Sequence, residues 1–154
     1  MEPLHAWAVA AVVLYVKMLV VASLQGVWRL RANAFEKPED AAFFGSGEVR
    51  DELPEVARAQ RTLVNDLENI PMFLFLAAAY VALGAWPGAA AGYFGVFVGS
   101  RVVHTFAYLR PRQPLRNRAY VVGQLVCVVL AGHVIAVIVG VDPSLFAWLS
   151  GRGP

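Results

Sequence analysis

At 154 residues, 58% of them hydrophobic and only 16% charged, the chain has a mean hydropathy of +0.56, far above the apolar share of an ordinary soluble domain. That balance excludes a soluble globular domain and indicates an all-α integral membrane protein, one domain over residues 1–154. The formal net charge of +2 offers no basic surface for nucleic acid, because the bases of the first connection are interleaved with Glu36, Glu39, Asp40, Glu48, Asp51, Glu52 and Glu55.

Four apolar stretches, residues 6–24, 70–86, 89–109 and 120–141, each come near the roughly 20 residues a helix needs to cross the hydrocarbon core. They predict a four-transmembrane-helix bundle with spans at about 6–28, 62–85, 89–109 and 117–141 and a cytoplasmic loop at about 29–60. The first stretch does not read as a cleavable signal peptide, since "MEPLHAW" puts an acid and a proline where a basic region belongs and Lys17 interrupts the apolar run. Lys17 needs a partner inside the bundle, and the sequence does not name it. Helix should continue through "SLQGVWRLR", with Gln25 and Arg29 one turn apart, and "EKPEDAAFFGSGEVRDELPE" has the Pro, Gly and acid content of a structured loop.

Pro54 opens the next helix, which runs through "EVARAQRTLVNDLEN" into the membrane and places Arg61, Asn65 and Glu68 on one face at i, i+4 and i+7. "AWPG" makes a tight luminal or periplasmic turn. The third span carries Arg101, His104 and Tyr108 at i, i+3 and i+7, "RPRQPLRN" turns back in the cytoplasm, and the fourth span opens with Arg116 and Tyr120 one turn apart. Cys127, the lone cysteine, reads as packing, and no metal site is expected. Bases outside the spans concentrate between Arg29 and Arg61 and between Arg110 and Arg118, with only Arg152 in the tail, so both connections face the cytoplasm and both termini lie on the other side.

An ionisable group in a membrane helix is costly unless it faces the bundle or water, so each is a site hypothesis. Those above fall toward the cytoplasmic ends of their helices and can converge at one depth. Guanidinium groups there suit carboxylates, Glu68 suits an ammonium, and Asn65 and the tyrosines complete hydrogen bonds. The ligand so described is small, polar and zwitterionic, with a lipophilic co-substrate arriving through the bilayer. Structural roles compete with this reading: Arg29, Arg31, Arg110, Arg112 and Arg118 as interfacial anchors, Arg101 with Glu68 as an interhelical ion pair, His104 as a hydrogen-bonded bundle residue, and the tyrosines as an aromatic belt. A transporter or channel subunit would also hold such charges, but no broken helix or ion-selective ring is evident.

The stretches "VWRLRANAFEKPEDAAFFGSGE", "RTLVNDLENIPMF" and "GSRVVHTFAYLRPRQPLRNRAY" resemble the MAPEG family, the membrane-associated proteins in eicosanoid and glutathione metabolism. "NDLENI", "PED" and "FGSGE" resemble its microsomal glutathione transferase branch first and its prostaglandin E synthase branch next. The resemblance implies a homotrimer with glutathione bound between neighbouring subunits on the cytoplasmic side. It further implies that Arg116 stabilises the glutathione thiolate, and that Arg29, Asn65, Glu68, His104, Tyr108 and Tyr120 contact glutathione with Arg61 and Arg101 beside them. Asp40 matches an aspartate proposed to assist chemistry in the synthase branch.

Val64 and Asn117 stand where the synthase branch has an arginine and a serine, and Leu63 replaces a common histidine. These departures point away from prostaglandin synthesis. The implied activity is a glutathione transferase or peroxidase acting on lipophilic electrophiles or lipid hydroperoxides. A prostaglandin E synthase-like isomerase and a non-catalytic lipid-binding protein of the same fold are the alternatives. Abundant Ala, Val, Gly and Arg with few Lys fits a GC-rich bacterial genome and hence an inner membrane; in a eukaryote the expectation is the endoplasmic reticulum.

Overall fold

Prolines set where the helices start. The computed structural model describes residues 1–142, which form α1 (Pro3–Ala32), α2 (Pro38–Phe44), α3 (Pro54–Ala82), α4 (Pro87–Leu109) and α5 (Gln113–Ile138). Each has a proline in its first two positions, where the missing N–H is not needed and the fixed φ favours helix. Pro114 therefore moves one expected boundary: most of "RPRQPLRN" is already the first turn of α5, and the link from α4 is only residues 110–112. α1 stops at Asn33, which takes a left-handed conformation (φ 47°) that asparagine tolerates. The tail base Arg152 lies outside the described residues.

The four long helices form a bundle in which α1 packs on α3 and α4, α4 on α5, and α3 on both α4 and α5. The inner face of α3 is Val56, Ala59, Thr62, Asp66, Asn69, Ile70, Phe73, Ala77 and Tyr80, a helical spacing of threes and fours. Against it lie Ala6, Ala10 and Leu14 of α1, Phe94 and Phe97 of α4, and Val126 and Leu130 of α5. The alanines let the helix axes approach closely. Phe73 stacks on Phe97 at 3.8 Å between centroids and meets Phe94 edge-on at 5.8 Å. At the α3–α4 turn the Tyr80 hydroxyl donates to the Trp86 carbonyl at 2.7 Å, and His133 of α5 stacks on the Trp86 ring at 5.8 Å.

Outside, the polarity is that of a bilayer protein. Leu4, Val9, Val12, Val16 and Leu19 of α1 and Leu125, Val128, Ile135 and Ile138 of α5 are exposed, and both helices are long and apolar enough to cross a membrane. Apolar surface on this scale is covered by lipid or by another chain.

The most polar part of the interior is a layer that all four long helices build. Asp66 of α3 is fully buried; one carboxylate oxygen pairs with Lys17 of α1, and the other accepts from Arg101 of α4 at 2.7 and 3.2 Å. Arg101 also donates to the Asn65 side-chain oxygen at 2.6 Å. One turn on, Asn69 donates to the Asn65 carbonyl at 2.6 Å and accepts from Gln124 of α5. Lys17 thus has its acid, and the expected pairing of Arg101 with Glu68 is replaced by Asp66. Asp66 is in phase with Phe73, Ala77 and Tyr80, whereas Glu68 points outward.

Removing one member of such a cluster strands buried charge, which costs about 3–5 kcal/mol. Asp66→Ala should therefore lower the thermal unfolding midpoint sharply in detergent. Lys17→Met, which leaves the Asp66–Arg101 pair intact, should cost far less. Equal midpoints for the two variants would contradict the shared-carboxylate account.

Candidate functional site

The three-residue link makes α4 and α5 antiparallel neighbours, so the last turns of one face the first turns of the other. This brings together four of the expected site residues. The Arg116 guanidinium carbon lies 4.6 Å from the Tyr108 ring centroid, and the His104 ring is 5.7 Å from Tyr108 and 6.3 Å from Tyr120. Among the described residues Arg116 has no carboxylate partner. A half-buried guanidinium held on a ring face with its donors free is suited to an anion, and the start of α5 adds the positive end of a helix dipole. His104 is 3% exposed and its Nδ1 has no hydrogen-bond partner among the described residues, so the group also holds an unsatisfied polar atom.

The α3 set divides. Arg61 and Glu68 are exposed and make no hydrogen bond or ion pair among the described residues, while Asn65 is half-buried and turned onto Arg101. Arg101 itself is 1% exposed, and its donors go to Asp66 and Asn65 rather than to the surface. The helical spacing that put Arg61, Asn65 and Glu68 on one face is correct, but that face is the outer one.

A third group lies in the connection between α1 and α3. Arg29 donates through Nε to both oxygens of Glu52 at 3.1 and 3.2 Å and pairs with it through a terminal nitrogen as well. Arg29 and Asp40 line two adjoining cavities. One, of about 200 Å³, is walled by Gly26, Leu30, Phe35 and Phe44; the other, of about 270 Å³, by Gln25, Glu36, Lys37, Glu52 and Gln60. The connection is ordered by the Arg50 N–H, which donates to the Phe35 carbonyl at 2.9 Å beside the Phe35–Val49 bridge. Arg29 and Asp40 share no hydrogen bond, ion pair or ring contact with the Arg116 group. Within a single chain the expected site residues thus form three groups that do not touch one another.

Other bases behave as surface groups. Arg31, Arg112 and Arg118 are exposed, and Arg110 covers the Phe106 ring at 4.7 Å. Among the described residues no cluster of metal-ligating side chains occurs. Sequence reasoning overlooked Asp66, Glu52 and Gln124. For Asp66 the signal was present, because it recurs with Thr62, Asn69, Ile70 and Phe73 on the apolar side of α3.

The MAPEG family model matches residues 7–136. The chain belongs to the MAPEG family. Prostaglandin E synthase of Macaca fascicularis is 43% identical to it over 129 residues, covering 83% of this chain and 85% of that protein. Prostaglandin E synthase of Homo sapiens is 42% identical over the same length and coverage, and microsomal glutathione S-transferase 1 of Rattus norvegicus is 39% identical over 127 residues, 79% of this chain and 82% of that protein. Overall identity thus does not favour the glutathione transferase branch, to which the quoted motifs had pointed. The Arg116 group, the α3 face, and Arg29 with Asp40 all lie inside the segment matched by the MAPEG model.

In this MAPEG chain the connection that carries Asp40 is closely packed at Gly45. A Cβ at position 45 would lie 2.7 Å from the Asn33 side-chain oxygen and 2.9 Å from the Phe35 ring. Gly45→Ala should destabilise the connection by about 1–3 kcal/mol, the usual cost of overpacking, and speed limited proteolysis between α2 and α3. Wild-type cleavage rates would show that the connection has slack there.

Proposed function

We propose that this MAPEG protein is a glutathione-dependent membrane enzyme, a transferase or peroxidase acting on lipophilic electrophiles or lipid hydroperoxides. The observation that carries the reading is the acid-free Arg116 guanidinium held over Tyr108 beside His104 and Tyr120. Similarity to a microsomal glutathione S-transferase supplies the thiol. Glutathione contributes a sulfur nucleophile, and the thiolate is its reactive form. Arg116 stabilises that thiolate as a permanently charged donor and transfers no proton itself. Glu68 holds the ligand's ammonium, Arg61 and Arg29 its carboxylates, and Asn65, His104, Tyr108 and Tyr120 its polar groups, with Asp40 assisting chemistry at the mouth of the site.

In this reading all four long helices span the bilayer with the basic connections in the cytoplasm, and three copies assemble. The trimer is supported by the split described above. Arg61 and Glu68 stand on an outward face without partners among the described residues, and a second copy's Arg116 group set against that face completes the ligand's contacts. Detergent-solubilised protein should have a trimer's mass and should lose glutathione binding when dissociated. A monomer that binds glutathione with full affinity would refute the assembly. Glu68→Gln should weaken glutathione binding by about 1.5–3 kcal/mol, the scale of a hydrogen bond to a charged group, with the ligand-free unfolding midpoint unchanged because Glu68 has no partner among the described residues.

A prostaglandin E synthase-like isomerase is the second reading. The 43% identity to a prostaglandin E synthase favours it, and Val64, Leu63 and Asn117 count against it. Product analysis with a prostaglandin endoperoxide and with a small lipophilic electrophile, each with glutathione, separates the two.

The thiolate role of Arg116 has a definite sign in pH. A free thiol titrates near pH 8.5, and a cation that lowers this by about 2 units favours the thiolate by about 2.7 kcal/mol at 1.36 kcal/mol per unit. Arg116→Ala should therefore move the rate profile up by about 2 pH units and cut turnover at neutral pH by roughly 10–100-fold. It should weaken glutathione binding much less, and raising the pH should restore part of the rate. Arg112→Ala and Arg118→Ala should behave like wild type; loss of the thiolate absorbance in Arg112→Ala, with Arg116→Ala normal, would reassign the role.

A further inference from the structure

The interior end of the polar layer touches one residue of the proposed ligand face, and only one orientation of that residue is chemically allowed. Arg101 donates to the Asn65 side-chain oxygen at 2.6 Å. A guanidinium has five donors and no acceptor, so the amide must turn its oxygen toward Arg101 whatever else surrounds it. The Asn65 NH2 is then directed away from Arg101, and among the described residues it donates to no protein group. Asn65 is half-buried on the same face as Arg61 and Glu68, so this donor is available to a ligand there.

Arg101 cannot swing aside to release the amide. Its Nε and a terminal nitrogen are both bound to one oxygen of Asp66, at 3.2 and 2.7 Å, and the other Asp66 oxygen is taken by Lys17. Arg101 is 1% exposed and Asp66 is fully buried, so no water replaces either partner. The chain of restraint runs from α1 through α3 and α4 to the side chain of Asn65.

We propose that Asp66 and Arg101 are positioning residues that lock the Asn65 amide with its NH2 outward, making it a committed donor to an acceptor group, a carboxylate or peptide carbonyl, of the bound ligand. This rests on the glutathione reading above and adds to it a function for charges that do not themselves reach the ligand. With a freely rotating amide, half of the orientations would present an oxygen to the ligand's acceptor and repel it.

The test is Asn65→Asp in the full-length protein. The substitution keeps an oxygen for Arg101 and removes the outward NH2. It also gives the layer two acids for its two bases, so folding should not suffer. The expected result is an unfolding midpoint equal to or above wild type, with KM for glutathione raised about 10–100-fold, the span of a hydrogen bond to a charged group, and kcat and its pH profile unmoved. The double variant Lys17→Met with Asp66→Asn, which takes the carboxylate from Arg101 and so lowers the midpoint as well, should, assayed below its own transition, raise KM in the same direction by a smaller factor. A purely structural layer would lower the midpoint and kcat together and leave KM alone. If wild type binds glutathione and Asn65→Asp keeps the wild-type KM, the positioning role is overturned and the glutathione reading survives. If wild type gives no thermal shift with glutathione, the glutathione reading falls and takes this role with it.

Discussion

One carboxylate, Asp66, has to satisfy two buried cations on two different helices. Lys17 approaches from α1 and Arg101 from α4, and among the described residues no other acid lies within pairing distance of either. Placing these three charges out of water is expensive, and only close mutual contact offsets the cost. The requirement fixes the relative depth of three helices at once: a shift of α1 or α4 by one turn would separate a pair. The apolar packing of Phe73, Phe94 and Phe97 tolerates small sliding, whereas the ion cluster does not. It acts as the register mark of the bundle, and the Asn69–Gln124 bond extends that mark to α5.

Fixing the register in this way decides which side chains remain for a ligand. Charges that point inward are consumed by one another, and those left over, Arg61, Glu68 and Arg116, lie on surfaces or between the first and last turns of adjacent helices. Arg61 and Glu68 stand on the exposed face of α3, whereas Arg116 lies against Tyr108 where α4 meets α5. In the trimer proposed above, two copies held in a fixed relation would supply both halves of the site.

Much of this was legible in the sequence. The helices follow from apolar runs and from prolines at Pro3, Pro38, Pro54 and Pro87, whose effect on backbone geometry is local. The His104–Tyr108 face and its neighbours Arg116 and Tyr120 follow from helical spacing and a short link. Arg101 was misread because spacing gives a phase but not its absolute direction; the choice between Glu68 and Asp66 as its partner needs to know which side of α3 faces inward, and the apolar residues that decide it lie a turn or more further along. Glu52 and the cavities around Asp40 were not legible at all. They depend on how a 21-residue connection between α1 and α3 folds back, through a bridge and a close contact at Gly45 that no periodicity encodes.

The aromatic closure at the α3–α4 turn bears on where the bundle can breathe. There the Tyr80 hydroxyl is bonded to the Trp86 carbonyl, and the Trp86, Tyr93 and His133 rings pack together, so helix ends on that side are stapled across three elements. On the opposite side the ends are joined by an ion pair, a ring-face contact and a water-accessible connection, all of lower local stability. Local stability is then graded along the bundle, greatest at Trp86 and least toward Arg29 and Arg116.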